Sequence, residues 1–176
     1  MAAVSGFPVF DGHNDTLLDL FRPDRGGGRS FFERSEQGHI DLPRARKGGF
    51  AGGMFAIFSP SPEKGGDSVP SAPSSEEKLP SELPMEEARV SMLGMASILF
   101  KLERAGALTI CRSAAEVRAA VAKGILAAVF HIEGAEAIGP DLAMLEVLHA
   151  AGLRSLGIVW SRPNIFGNGV PFRFPS

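Results

Sequence analysis

The chain alternates between short apolar runs and segments in which apolar residues recur at helical spacing. The apolar runs predict β-strands at about residues 8–12, 50–58, 125–132 and 153–160. The third run is bounded by Gly124 and Gly134, which is typical of a strand buried on both faces of a sheet. Because strands and helices alternate, we expect an α/β fold with parallel strands and right-handed crossovers.

Helices are predicted at residues 16–21, 86–105, 114–123 and 141–151. The second is the clearest, since Glu86 and Glu87 stand in its first turn and Gly106 follows its end. Ser113 and Glu116 form a capping box at the start of the third. We assign seven residues to the apolar face of the second helix: Val90, Met92, Leu93, Met95, Ile98, Leu99 and Leu102.

Residues 59–84 differ in composition from the rest of the chain, with prolines at 60, 62, 70, 73, 80 and 84 and frequent serines. Such a segment has little to bury, so we expect a Pro/Ser-rich loop insertion in a single domain of residues 1–176. It follows a strand directly, and in parallel α/β barrels such loops lie at the active face. A lid over the site and a passive insertion both fit this position.

Eighteen basic residues against twenty acidic ones give a formal charge of −2, which predicts no nucleic-acid partner and no anionic membrane surface. The one cysteine, Cys111, cannot form an internal disulfide and fits a reducing compartment. It sits in a strand-like Leu108-Thr109-Ile110-Cys111, so we expect a buried structural thiol rather than a nucleophile. We find no signal peptide and no apolar stretch near the roughly 20 residues of a membrane helix, so we expect a cytoplasmic protein.

Two groups of polar residues follow predicted strands and carry the candidate chemistry. Asp11, His13 and Asp15 alternate, so they share one face if the extended conformation persists, and His13 with Asp15 can bind one divalent ion. Loop capping without a metal is the alternative. His131 and Glu133 share a face at the end of the third strand, where an ionised carboxylate is costly unless it is paired or binds metal. A Glu133 that turns outward is the alternative there.

Five motifs in order along the chain resemble the membrane (renal) dipeptidase family: DGHND (11–15), GHIDLPR (38–44), GGFAGGMFA (48–56), HIEG (131–134) and GLRSL (152–156). The resemblance implies a (β/α)8 TIM-barrel zinc hydrolase that cleaves dipeptides with a metal-activated water. By this resemblance His13 and Asp15 would bind one zinc ion, and Glu133, the catalytic candidate, would bridge two. The nitrogen and oxygen ligands suit zinc, manganese and cobalt alike.

The chain departs from this family pattern in length, because four predicted strands cannot close an eight-stranded barrel. By the resemblance, the two histidines of the second metal and the arginine for the substrate carboxylate come from a second half. We therefore expect only about the first half of the barrel here, with at most three good metal ligands. The isolated chain should be inactive or nearly so unless a second chain completes the barrel, as in a homo-oligomer.

A second departure is Trp160, which stands where many members carry a histidine that steadies the tetrahedral intermediate. Tryptophan cannot bring positive charge to an oxyanion, and simple packing at the barrel mouth is the alternative. Asp11, His131, Trp160 and Asn164 are the candidates to orient the metal ligands or to line the substrate pocket. We place His39 in a polar turn.

Three functions therefore remain open. The first is a metal-dependent dipeptidase that is incomplete in this chain. The second is an amidohydrolase that acts on N-acyl or D-amino acid amides, which a substrate screen would separate from the first. The third is a non-catalytic barrel fragment or subunit that binds partners through its unpaired strand edges.

Overall fold

The computed structural model describes residues 7–61 and 81–169, and the strands in these ranges form one five-stranded parallel sheet. The strands are β1 (Val9–Asn14), β2 (Phe50–Phe58), β3 (Leu108–Ile110), β4 (Leu126–Glu133) and β5 (Leu153–Gly157). The helices are α1 (Thr16–Phe21), α2 (Leu42–Lys47), α3 (Met85–Arg104), α4 (Ala114–Ala122) and α5 (Ala143–Ala151). A short 3-10 helix, Pro23–Arg25, follows α1.

The four predicted strands are β1, β2, β4 and β5, and they lie side by side in that order. β2 pairs with residues 127–133 of β4, so β3 and β5 must share the other edge of β4. β3 takes the N-terminal part of that edge and β5 the C-terminal part. The four counted strands were therefore too few by one, because the short strand-like stretch that forms β3 was not counted among them.

No helix was predicted between α1 and β2, but α2 begins there at Leu42, directly after the polar segment that contains His39. Asp41 caps α2, since its carboxylate accepts hydrogen bonds from the backbone N–H groups of Arg44 (2.8 Å) and Ser35 (3.1 Å). Burial raises the pKa of Asp41, but these hydrogen bonds and the Arg44 guanidinium outweigh burial and lower it. Aspartate followed by Pro43 at the first helical turn is a helix-start signal.

α3 was predicted well in extent, but its apolar face is narrower than expected. Met92, Met95, Leu99 and Leu102 are buried, as predicted. Val90 and Leu93 are 70% and 52% exposed, because they point away from the stripe that packs on the sheet.

The predicted strand at 153–160 ends early, at Gly157, so Trp160 lies in the loop that follows β5. The helix predicted at 141–151 begins at Ala143, after Leu142, which has a left-handed backbone (φ 57°).

Cys111 is buried and free, as expected. Most of the Pro/Ser-rich segment, residues 62–80, lies outside the described residues, as does the chain from 170 onward. None of the described helices is long and apolar enough to cross a membrane.

Candidate metal centre

Three predicted ligands meet at the C-terminal edge of the sheet. His13 lies near the end of β1, Asp15 directly follows that strand, and Glu133 is the last residue of β4. His13 Nε2 is 3.3 Å from Asp15 Oδ1 and 3.5 Å from Glu133 Oε2. One ligand atom from each residue lies within 4.8 Å of the other two, which is the geometry of a site for a divalent ion.

The donor set also fits a metal ion in its chemistry. One imidazole nitrogen and two carboxylate groups are hard to borderline ligands that suit a divalent transition metal. Burial raises the pKa of Glu133; the neighbouring His13 lowers it and Asp15 raises it. Bringing Asp15 and Glu133 together is therefore unfavourable in the ionised form, and a divalent cation between them would offset that cost.

Asp11 does not join this cluster, and the extended backbone ends before Asp15, which directly precedes α1. The Asp11 carboxylate instead accepts a hydrogen bond from Asn14 Nδ2 at 3.1 Å. The same Asn14 group donates to the carbonyl of Met54 on β2, and the Asn14 side-chain oxygen accepts from the backbone N–H of Thr16. Asp11 and Asn14 thus fix the end of β1 from which His13 and Asp15 project.

His131 packs behind the cluster rather than within it. Its ring lies edge-on to the ring of His13, with centroids 5.5 Å apart. Its Nδ1 atom is 2.9 Å from Ser155 Oγ on β5. Burial lowers the pKa of His131 and the neighbouring His13 lowers it further, while Ser155 opposes this effect. His131 is therefore suited to stay neutral and to support the ring of His13.

Two cavities adjoin the cluster. The smaller, of about 230 Å³, is lined by Asp15, Leu18, Arg25, Phe58, Glu133 and Trp160. The larger, of about 470 Å³, lies on the β1 side, and His13, Asp15, Arg25 and the exposed His39 are among its lining residues. The rings of Trp160 and Phe58 pack edge-on, with centroids 5.1 Å apart. Together they form part of the wall of the smaller cavity.

Asn164 was predicted to orient a metal ligand or to line the substrate pocket. It lines neither of these two cavities. Its side chain donates to the carbonyl of Ile158 and accepts from the backbone N–H of Phe166, both at 2.9 Å. These bonds hold a turn after β5, because an asparagine that satisfies nearby backbone groups stabilises a tight turn.

Three charged residues near the site were not predicted from the sequence. Arg25 lines both cavities. Glu136 and Arg162 form a buried ion pair with 3.6 Å between Oε1 and Nη1, close behind the strand ends. Glu136 and Arg162 lie in loops with no periodic pattern, so only the general rarity of buried charges could have indicated them. Arg25 ends a short 3-10 helix and is partly exposed, so no sequence signal marked it.

A comparison with known protein families identifies the family of a chain with such a cluster at the ends of parallel strands. The family model for membrane dipeptidase, peptidase family M19, matches residues 2–173. The chain belongs to the membrane dipeptidase family. The predicted fold class, a parallel α/β sheet of the TIM-barrel type present in part, is confirmed by the sheet and by the solved structures of this family.

Two solved structures in the membrane dipeptidase family are similar over 96% of this chain. One is dipeptidase AC, a metallopeptidase of family M19, with 50% identity and a TM-score of 0.81. The other is a metallopeptidase from Rhodobacter sphaeroides liganded with a phosphinate mimic of the dipeptide L-Ala-D-Ala, with 49% identity and a TM-score of 0.83. Membership in a metallopeptidase family agrees with the donor set of His13, Asp15 and Glu133.

A curated relative from Acinetobacter calcoaceticus, described as an uncharacterized protein in the PQQ-III 3'region, is 36% identical over 171 residues. The chain covers 53% of that relative and 49% and 50% of the two solved structures. It therefore spans about half the length of the proteins it matches.

Proposed function

We propose that residues 1–176 form the N-terminal half of a metal-dependent dipeptidase that hydrolyses the peptide bond of dipeptides. The observation that carries this proposal is the convergence of His13, Asp15 and Glu133 within 4.8 Å at one edge of a parallel sheet. A metal-dependent hydrolase needs a cation next to an open cavity, and the cavity beside Asp15 and Glu133 meets this need.

In this proposal the three side chains hold the metal from two strands. His13 and Asp15 bind from the end of β1, and Glu133 binds from the end of β4. Glu133 turns Oε2 toward His13, and by the family resemblance the same carboxylate would also hold a second zinc ion. When bound, zinc supplies a Lewis acid for the peptide carbonyl and lowers the pKa of a water molecule toward neutrality.

We propose further that the site is incomplete in the isolated chain. Three protein ligands suffice for a single zinc ion with a water in the fourth position, but a pair of ions needs more. The remaining ligands would come from a second half of the barrel or from a second copy of the chain. The chain alone should then bind about one zinc ion and hydrolyse dipeptides slowly or not at all.

Metal titration tests this proposal. Zinc binding to the full 176-residue chain would be measured by isothermal titration calorimetry, with hydrolysis of a small dipeptide panel assayed in parallel. His13→Ala should abolish zinc binding, whereas His149→Ala, which removes an exposed histidine from α5, should leave it unchanged. Equal zinc affinity in both variants would contradict the proposal. Two ions per chain with rapid turnover would show that the site is complete in an oligomer.

The outer edge of β1, which pairs with no other strand in the described part of the chain, favours a second candidate function, that of a non-catalytic subunit. Val9 and Phe10 are 52% and 44% exposed, and an unpaired strand edge with apolar side chains promotes pairing with another chain. Light scattering of the purified chain distinguishes the two functions. Self-association that persists in His13→Ala without zinc or turnover would support the subunit.

A further inference from the structure

Arg25 is placed between the two cavities that flank the metal cluster. It ends the short 3-10 helix after α1, and it lines both the 230 Å³ and the 470 Å³ cavity. Among the residues that line these two cavities, it is the one arginine, and no lysine lines either. The ionisable residues around it are otherwise carboxylates and histidines: Asp11, His13, Asp15, Asp19, His39 and Glu133.

Its guanidinium is anchored from one side only. Arg25 Nε donates to Asp19 Oδ1 at 3.0 Å, and Asp19 is buried on α1, one turn after Asp15. The two terminal nitrogens of Arg25 make no hydrogen bond to the described part of the chain, and the side chain is 41% exposed. An arginine that is held through Nε keeps its two terminal nitrogens for a ligand, and this planar fork matches a carboxylate.

The charge balance of the site also favours an anionic ligand at Arg25. A divalent ion bound by Asp15 and Glu133 would be neutralised by those two carboxylates. Asp19, which lies behind the guanidinium, fixes its direction but occupies only the Nε edge. Arg25 is then the remaining cation next to the smaller cavity, whose other walls are Leu18, Phe58 and Trp160. In such a partly apolar pocket, a charge-assisted hydrogen bond is stronger than in water.

We propose that Arg25 is a specificity-determining residue that binds a carboxylate group of the peptide substrate. This inference rests on the proposed dipeptidase function. The resemblance places another arginine for the substrate carboxylate in a second half, so Arg25 would act in addition to it. The carboxylate at Arg25 can come from an acidic side chain or from the end of the peptide, and both offer the same chemistry to the guanidinium. Arg25→Lys should retain only part of the effect, because an ammonium group lacks the bidentate fork.

The test measures peptide binding to the zinc-loaded 176-residue chain by calorimetry. One pair of probes, Ala-Ala and its C-terminal amide, isolates the terminal carboxylate, and a second pair, Ala-Glu and Ala-Gln, isolates the side chain. We expect the acid to bind about ten- to a hundredfold more tightly than its neutral partner in at least one pair. Arg25→Met should abolish that ratio.

Two further variants separate recognition from folding. Arg25→Met leaves the buried Asp19 without a cation, so Arg25→Met/Asp19→Asn serves as a second variant in which that carboxylate is neutral. Arg34→Met is the matched control, since Arg34 is 63% exposed, pairs loosely with Glu36 at 3.5 Å and lines neither cavity. It should leave both ratios unchanged.

The outcomes distinguish this inference from the proposed function. If zinc binds and neither affinity ratio changes in the Arg25 variants, the role of Arg25 is overturned while the metal site stands. An equal loss of affinity for acidic and neutral probes would also overturn it, since that result indicates a structural role. If zinc does not bind to the wild-type chain, both proposals are overturned.

Discussion

The buried ion pair of Glu136 and Arg162 allows a quantitative prediction. Glu136 follows β4 and Arg162 follows β5, and their side chains are only 3% and 4% exposed. Arg162 also donates to the carbonyl of Ser59 (3.1 Å) and to Ser61 Oγ (2.6 Å), just after β2. The pKa of Glu136 is raised, chiefly by burial and further by the nearby Glu133. Its own backbone N–H and the Arg162 guanidinium oppose this effect only in part.

Replacing Arg162 with methionine should therefore destabilise the fold in a pH-dependent way. Without its cation, Glu136 must take up a proton to remain buried, at about 1.4 kcal/mol for each pH unit above its ordinary pKa of 4.5. That cost is about 4 kcal/mol at pH 7.5 and about 1.4 kcal/mol at pH 5.5. A pKa that is raised in the folded state stabilises the protein at low pH, and this stabilisation is lost as pH rises through the raised value.

Urea unfolding at pH 5.5 and pH 7.5, followed by circular dichroism, would measure the effect. Because the pKa of Glu136 is already raised in the wild type, part of this pH dependence is present there too. Arg162→Met should therefore lose at most about 2 to 3 kcal/mol more unfolding free energy than the wild type between pH 5.5 and pH 7.5. The double variant Glu136→Gln/Arg162→Met carries no titrating group there and should show no such excess. Equal destabilisation of Arg162→Met at both pH values would refute the reasoning.

Three further predictions concern the sheet, a helix cap and the metal. Gly52→Ala should cost about 3 kcal/mol or more in thermal unfolding, since its Cβ would lie 2.1 Å from the carbonyl oxygen of Ala127 at φ +148°, whereas Gly12→Ala, with open space around it, should cost under about 1 kcal/mol. Ser113→Ala should remove the hydrogen bond that caps α4 and lower the unfolding free energy by about 1 kcal/mol; no change would mean that the cap is dispensable. Zinc at a hundred times its dissociation constant should raise the unfolding free energy of the wild type by about 2.7 kcal/mol. A chelator should reverse this stabilisation, and Glu133→Gln should show much less of it.

Much of the fold could be predicted from the sequence because its signals are local. The apolar runs of β2 and β4 and the spacing of α1 depend only on neighbouring residues, and their bounds agree closely with the structure. β3 has only three residues, so its strand-like sequence was not counted among the predicted strands. α2 was missed although Asp41 and Pro43 form a helix-start signal, because its six residues include three cations and little apolar surface.

The candidate site divides in the same way. His13, Asp15 and Glu133 could be proposed from their positions at strand ends, since parallel strands bring those ends to one edge. Arg162 could not, because its partners Ser59 and Ser61 lie 103 and 101 residues earlier in the chain. The anchoring of Arg25 by Asp19 and the turn held by Asn164 likewise depend on loop conformations for which no sequence pattern was available.

The geometry of the cluster links metal binding to the sheet itself. β1 and β4 are separated by β2, so in a regular sheet their backbones lie about 10 Å apart. His13 and Glu133 nevertheless approach to 3.5 Å, which requires both side chains to lean toward each other across β2. Gly53 on β2 allows this close packing on the β1 side, because a Cβ there would lie 2.8 Å from the Asp11 carbonyl oxygen. A larger residue at Gly53 should therefore weaken zinc binding even where the chain still folds, and an unchanged zinc affinity in a folded Gly53→Ala variant would show that the cluster tolerates a wider sheet.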